Sequence, residues 1–148
     1  MKVMLVCTSG GHFSTMQSLQ AFWSQHERVW VSDFKADTSS LANTEKVYWL
    51  NYQAPRDIGA MLRNFPETFR IVGKEKPDVI VSTGASIAVN FAIAAKVLGS
   101  TFIFVESLSR FNELSLSGKL VYPMCDELYV QWPNLSERYS KAVFAGHV

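Results

Sequence analysis

Short, continuous runs of apolar and β-branched residues recur along this chain, and each is followed by a turn and a stretch with helical spacing. Six runs have this character: residues 3–8, 28–32, 46–50, 79–82, 101–105 and 127–131. A strand that is buried on both faces reads as a continuous apolar run. Strands that alternate with helices form a parallel sheet through right-handed crossovers. The pattern therefore predicts a Rossmann-like α/β domain with helices on both faces of the sheet.

The intervals between these runs carry the helices. We expect helices over 14–25, 57–76 and 86–98, a short helix at 120–124, and a last short helix and strand before residue 148. Asp57 can cap the second helix, Pro66 should kink or split it, and Gly99 should end the third. The 148 residues make a single domain, 1–148.

Composition and charge exclude several classes of protein. The 14 basic and 13 acidic residues nearly cancel, so we expect no nucleic-acid partner. Cys7 and Cys125 lie in apolar segments, which fits a reducing cytoplasm. No ligand spacing and no carboxylate cluster indicates a metal, and no cofactor is expected. The first apolar run is too short for a signal peptide, and no run approaches the ~20 residues of a membrane span.

Three polar loops follow strands of the predicted sheet, at 9–14, 83–86 and 106–118. In an open α/β sheet, ligands bind outside the carboxyl ends of the strands. We therefore expect these loops to surround a common crevice, and the candidate site residues are taken from them.

The first loop combines two glycines with a histidine. Gly10 and Gly11, beside Ser9, allow a sharp turn and leave room for phosphate near the amides of the next helix. The alternative is a tight turn without a ligand, since the full dinucleotide fingerprint is absent. His12 could take a proton from an acceptor hydroxyl, or it could be a capping or solvated side chain.

The other two loops carry hydroxyls and charges. Thr83, Gly84, Ala85 and Ser86 could bind a diphosphate or sugar hydroxyls, and Ser86 could also cap the helix that follows. Glu106 could orient His12 or a sugar hydroxyl.

The charged residues after the fifth strand have structural alternatives too. Ser107 and Arg110 are candidate substrate-binding residues, and Arg110 could instead pair with the Glu106 carboxylate as a clamp. Lys119 could neutralise phosphate. Trp132, between Gln131 and Pro133, is too large for a strand end unless it packs on the core or on a partner.

Together these elements resemble a known family over essentially the whole chain. The matching motifs are Gly10-Gly11-His12, Thr83-Gly84-Ala85-Ser86, Glu106-Ser107-Leu108-Ser109-Arg110, Leu114-Ser115-Leu116-Ser117-Gly118-Lys119 and Gln131-Trp132-Pro133. They resemble the membrane-recruiting subunit of the two-part N-acetylglucosaminyltransferase that acts on dolichol-linked chitobiose. They are also similar to its bacterial relatives in capsule and exopolysaccharide synthesis.

The resemblance implies the N-terminal, acceptor-binding half of a split GT-B glycosyltransferase. A catalytic partner chain would bind the UDP-sugar, and this chain would hold a polyprenyl-diphosphate-linked sugar. It places the Gly10-Gly11 loop near the acceptor diphosphate, makes His12 or Glu106 the base, and assigns partner binding to the segment from Gln131 onward.

The resemblance also bears on the membrane. The eukaryotic subunit carries an N-terminal membrane helix, whereas this chain starts directly at the first strand. We therefore expect a bacterial-type member that is peripheral on the inner face of the cell membrane. Two alternatives stay open: a non-catalytic subunit that recruits and enhances the transferase, and a flavodoxin-like or nucleotide-binding domain without sugar chemistry.

Overall fold

A computed structural model describes residues 1–148. The chain forms one seven-stranded sheet, in which every neighbouring pair of strands is parallel. The strands are β1 (Lys2–Val6), β2 (Glu27–Ser32), β3 (Val47–Trp49), β4 (Val79–Ser82), β5 (Thr101–Val105), β6 (Glu127–Val130) and β7 (Ala142–Phe144). Their order is β3-β2-β1-β4-β5-β6-β7. The first six follow the Rossmann order, so the predicted fold class is confirmed.

Six α-helices and one short 3₁₀ helix connect the strands. They are α1 (Gly11–Ser18), α2 (Gln20–Trp23), the 3₁₀ helix Ser39–Asn43, α3 (Ile58–Glu75), α4 (Ile87–Leu98), α5 (Leu116–Val121) and α6 (Pro133–Arg138). None of these helices is long and apolar enough to cross a membrane.

Side chains that alternate along the central strands build two cores. Met4 and Val6 of β1 face a core that α3, α4, α5 and α6 cover. Val3 and Leu5 face the opposite core, which only α1, α2 and the 3₁₀ helix cover. All four side chains are fully buried, as the continuous apolar run predicted. On the face of the sheet that carries α1 and α2, no helix therefore covers β5, β6 and β7.

The helix boundaries differ from the prediction in two places. The expected helix 14–25 begins earlier, at Gly11, and is broken at Leu19. At the break, the Met16 carbonyl accepts from the Leu19 amide (3.1 Å) and from the Nε1–H of Trp23 (2.8 Å). The expected helix 120–124 is wrong. The helix there is α5, which begins earlier because the Ser115 hydroxyl accepts from the Gly118 N–H (3.0 Å).

The signals at the ends of α3 and α4 behave as expected, with one exception. The Asp57 carboxylate accepts from the Ala60 N–H at the start of α3 (2.9 Å), and Gly99 ends α4 in the left-handed conformation. Pro66, however, does not split α3. It is exposed, and so is Leu62, whose carbonyl loses its helical partner, so water can satisfy that carbonyl.

A buried carboxylate ties three parts of the chain together at the amino edge of the sheet. Glu75, at the end of α3, has a side chain that is 2% exposed. It pairs with Lys2 and Lys46 at 2.6 Å each, and the Tyr48 hydroxyl donates to it. Burial alone would raise the pKa of Glu75, but the hydrogen bonds from Lys2, Lys46 and Tyr48 outweigh it and lower the pKa to about 2.

This cluster predicts an acid-dependent stability. The folded-state pKa of Glu75 lies below its ordinary value of 4.5. The stabilisation is therefore fully present above about pH 4.5 and is lost as the pH falls towards 2. Glu75→Gln should lower the free energy of unfolding at pH 7 by about 2 kcal/mol, a figure reduced because Lys46 is well exposed.

Urea unfolding at a series of pH values measures this effect. Glu67→Gln is the control, because Glu67 pairs with Arg70 at the surface and should change little. Equal pH dependence in the wild type and in Glu75→Gln would contradict the assignment.

Candidate functional site

The candidate site lies where the sheet reverses its winding. β1 and β4 are direct neighbours, with Val6 opposite Ser82. The chain leaves β1 into α1 on one face of the sheet and leaves β4 into α4 on the other. This divergence opens a crevice at the carboxyl ends of the two strands, which is where ligands bind in such sheets.

Two hydrogen bonds join the turns on either side of this crevice. The Thr83 hydroxyl donates to the carbonyl of His12 (2.6 Å), and the His12 Nδ1 lies 2.9 Å from the carbonyl of Thr83. A carbonyl only accepts, so Nδ1 must carry the proton. The Nε2 of the neutral ring is then left with a lone pair, which makes it a proton acceptor.

Gly84 allows this close contact. A Cβ at residue 84 would lie 2.7 Å from the Nδ1 and 2.8 Å from the Cε1 of His12. The φ of Gly84 is also +121°, a conformation that side chains disfavour. The structure thus brings His12, Thr83 and Gly84 together, although they come from two separate predicted loops.

The first turn is less open to phosphate than its glycines suggest. Buried Asp33 accepts from the Ser9 amide (2.7 Å) and from the Ser9 hydroxyl (2.9 Å). Asp37 accepts from the Gly10 amide (2.7 Å). The donors of Ser9 and Gly10 are therefore already engaged within the chain. Gly11, which is exposed, begins α1 beside them.

The second turn keeps its donors free. The amides of Ala85, Ser86 and Ile87 have no hydrogen-bond partner at the start of the 12-residue helix α4. The hydroxyl of Ser86 makes no capping hydrogen bond to this helix, so the alternative interpretation of Ser86 as a side-chain cap is wrong. It donates instead to the Gln53 carbonyl at 3.3 Å. The free amides and the helix dipole make this side of the crevice favourable for an anion.

Glu106 follows β5 at the edge of the crevice, and its carboxylate is engaged within the chain. Its side chain is buried, and its carboxylate accepts from Ser107 N, Ser115 N and Ser115 Oγ, each at 2.9 Å. It has no ion pair with Arg110, so the predicted clamp between the two is wrong.

The remaining polar residues of this loop lie at the surface. Arg110 is exposed and its guanidinium has no bonded partner, and the Ser107 hydroxyl lies 2.9 Å from that of Ser109. Lys119 pairs with Glu113 at 2.8 Å and lowers the pKa of that carboxyl. Arg110 is therefore the more available cation of the two.

Two of the three residues predicted to bind a partner, Gln131 and Trp132, are engaged within the chain. Gln131 is buried; its Nε2 donates to the Glu106 carbonyl (3.4 Å), and its Oε1 accepts from the Val148 amide (2.9 Å). Trp132 is half-buried and donates from Nε1 to the Leu108 carbonyl (2.7 Å). Pro133 is the first residue of α6. Gln131 and Trp132 thus fasten neighbouring segments.

A second concavity lies on the sheet face that lacks a helix. It is an apolar groove of about 310 Å³. Its lining comes from Leu19, Phe22, Val81, Ile103, Val105, Tyr129, Val130, Gln131, Ala145, Gly146 and Val148. The groove therefore lies between the break at Leu19 and helix α2 on one side, the strands β4, β5 and β6 below, and the C-terminal segment.

Two functional residues escaped the sequence analysis, Asp33 and Asp37. Both follow β2 at the carboxyl edge of the sheet, next to the strand that ends at the Gly10 turn. Their position directly after a predicted strand is the signal in the sequence that could have found them.

Solved structures of other proteins share this fold. A MurG from Acinetobacter baumannii superposes with a TM-score of 0.81 at 16% identity, over 99% of this chain and 46% of that one. The UDP-GlcNAc 2-epimerase of Methanocaldococcus jannaschii gives a TM-score of 0.75 at 14% identity, with the same coverage of the two chains. The fold is that of the N-terminal half of GT-B glycosyltransferases, as predicted.

The chain belongs to the Alg14 family. The family described as "Oligosaccharide biosynthesis protein Alg14 like" matches residues 56–148. The relative from Yarrowia lipolytica, named UDP-N-acetylglucosamine transferase subunit ALG14, is 35% identical over 98% of this chain and 80% of its own length. The human protein of that name is 31% identical over 64% of this chain and 46% of its own length. The chain thus spans less than half of that mammalian relative.

The His12–Gly84 contact predicts the effect of a single methyl group. Gly84→Ala should displace the imidazole and lower the free energy of unfolding by roughly 1–3 kcal/mol, because both the clash and the positive φ oppose it. Imidazole ¹⁵N shifts should show that Nδ1 carries the proton in the wild type and that this preference weakens in the variant.

Gly73→Ala is the matched control, because a Cβ there meets nothing within 4 Å. It should stabilise helix α3 by about 0.5–1 kcal/mol. Identical His12 spectra in the wild type and in Gly84→Ala would contradict the contact.

Proposed function

We propose that this chain is the acceptor-binding subunit of a two-component glycosyltransferase. The enzyme transfers a sugar from a UDP-sugar to a polyprenyl-diphosphate-linked acceptor in polysaccharide biosynthesis, and it is active only with a partner chain that binds the UDP-sugar. The observation that carries the proposal is the orientation of His12, whose Nδ1–H is held by the Thr83 carbonyl. Family membership supports the transferase role.

The chemistry assigned to His12 follows from its tautomer. The acceptor hydroxyl attacks the anomeric carbon, the bond from that carbon to UDP breaks, and the hydroxyl proton passes to Nε2 of His12. The Thr83 carbonyl stabilises the imidazolium that forms, because Nδ1–H becomes a stronger donor when the ring is charged. His12 is preferred over Glu106 as the base, since the Glu106 carboxylate already accepts three hydrogen bonds.

The acceptor diphosphate is assigned to the α4 side of the crevice. The free amides of Ala85, Ser86 and Ile87 favour an anion, whereas Asp33 and Asp37 already occupy the donors of the Gly10 turn. The exposed guanidinium of Arg110 can add charge from the neighbouring loop.

The partner is assigned to the apolar groove. All-parallel sheets are normally covered on both faces, and here β5–β7 lack cover on the side of α1. The groove is lined mostly by apolar residues and borders Gln131 and the C-terminal segment. A catalytic subunit that places an apolar segment in this groove would cover the open face of the sheet and close the crevice from the side.

A second function, recruitment and enhancement of a partner that is itself competent, is favoured by one observation. Large apolar side chains are exposed on several loops at the carboxyl edge, namely Phe34, Tyr52, Leu108 and Phe111. Exposed apolar groups beside the crevice suit a peripheral contact with the membrane that holds a lipid-linked acceptor.

Mutation of His12 tests the catalytic proposal. In a complex with a nucleotide-sugar-binding partner chain, His12→Ala should lower kcat by about 100-fold or more, since a general base is removed. His26→Ala is the control, because His26 lies between α2 and β2 at the opposite edge of the sheet. Sugar transfer to a polyprenyl-diphosphate acceptor is the measured quantity.

The same assay separates the two functions. Full transfer by this chain alone would refute the two-component proposal, and unchanged kcat in His12→Ala would remove His12 as the base. A partner that reaches the same turnover alone at saturating acceptor would make this chain an enhancer only.

Mutation of the groove tests the partner assignment. Phe22→Ser should weaken binding of the partner chain about tenfold or more, because an aromatic wall of the groove is lost. Leu98→Ser is the control, since Leu98 is also exposed but belongs to α4, which packs on the other face of the sheet. Calorimetric titration measures both, and equal losses in the two variants would contradict the assignment.

A further inference from the structure

The segment 107–115 joins β5 to α5, and both of its ends are attached to one carboxylate. Glu106 Oε1 accepts from the Ser107 amide, and Oε2 accepts from the amide and the hydroxyl of Ser115, all at 2.9 Å. Glu106 itself is 2% exposed. A buried charge that receives three hydrogen bonds is held in one position, and it holds its donors in turn.

The same contact sets the start of α5. The Ser115 hydroxyl donates to Glu106 and accepts from the Gly118 amide at 3.0 Å, so it caps the helix. Gly118 lies against the carboxylate, since a Cβ there would come within 2.3 Å of Oε2. This geometry accounts for a glycine three residues after the capping serine.

The outer side of the segment is fastened by residues of α6 and its cap. Trp132 Nε1 donates to the Leu108 carbonyl and Arg138 Nη1 donates to the Asn112 carbonyl, each at 2.7 Å. Residues 108–113 are all exposed and have little packing of their own. Their conformation therefore depends on these polar contacts rather than on burial.

We propose that Glu106 is a positioning residue, which clasps the segment 107–115 so that Ser107 and Arg110 face the acceptor. This role rests on the proposed function of the crevice, but the clasp is a separate property of the chain. The carboxylate is needed because glutamine has only one acceptor oxygen. Its NH₂ group would meet either the Ser107 amide or the two donors of Ser115.

Hydrogen exchange of the isolated full chain tests the clasp without any assay of transfer. Glu106→Gln and Ser115→Ala should each raise amide exchange in 107–115 by about tenfold or more, because hydrogen bonds to a charged group are lost. Ser117→Ala is the matched control, as the Ser117 hydroxyl has no bonded partner. Ser115→Thr should retain protection.

Kinetics of the two-chain enzyme then separate positioning from catalysis. Glu106→Gln should raise KM for the lipid-linked acceptor about tenfold and leave kcat within about threefold, with an unchanged pH profile of kcat. A kcat loss of about 100-fold with a changed pH profile would show that Glu106 is the base and overturn the proposal. Unchanged exchange in Ser115→Ala would also overturn it, even if Glu106→Gln fails to fold or no partner supports transfer.

Discussion

The crevice depends on the reciprocal hydrogen bonds between His12 and Thr83. These bonds join the turn after β1 to the turn after β4, at the point where the chain departs to opposite faces of the sheet. They fix the distance between the two turns and the tautomer of the imidazole in one step. Because Gly84 lies directly against the ring, the contact leaves little room for another arrangement.

Buried or bonded carboxylates hold the loops that surround this contact. Asp33 and Asp37 hold the Gly10 turn, and Glu106 holds the loop after β5. Glu75 plays a comparable part at the opposite edge of the sheet, where it joins β1, β3 and α3. The crevice is therefore preorganised, whereas the sheet face over β5–β7 stays open. A preorganised crevice suits a site that aligns a hydroxyl. An open sheet face suits a chain whose apolar surface is covered by a partner.

Much of the fold was predictable because it rests on local patterns. Continuous apolar runs marked the six strands β1 to β6, and Asp57 and Gly99 marked helix ends through their own side-chain or backbone preferences. The errors arose where something other than the local hydrophobic pattern decided the outcome. The Nε1–H of Trp23 donates to the Met16 carbonyl at the break of Leu19, and the exposed position of Pro66 lets α3 continue past it.

The sequence by itself determined the parallel sheet, the three loops at its carboxyl edge and the residue types available there, because each depends on short-range periodicity and turn chemistry. Only the tertiary structure decided which of those residues are free. Ser9, Gly10 and Glu106 look like ligands in the sequence, yet Asp33, Asp37 and Ser115 occupy them. His12 looks like an isolated histidine, yet Thr83 orients it. Hydrogen bonds between residues far apart in the chain make that choice, and no local pattern encodes them.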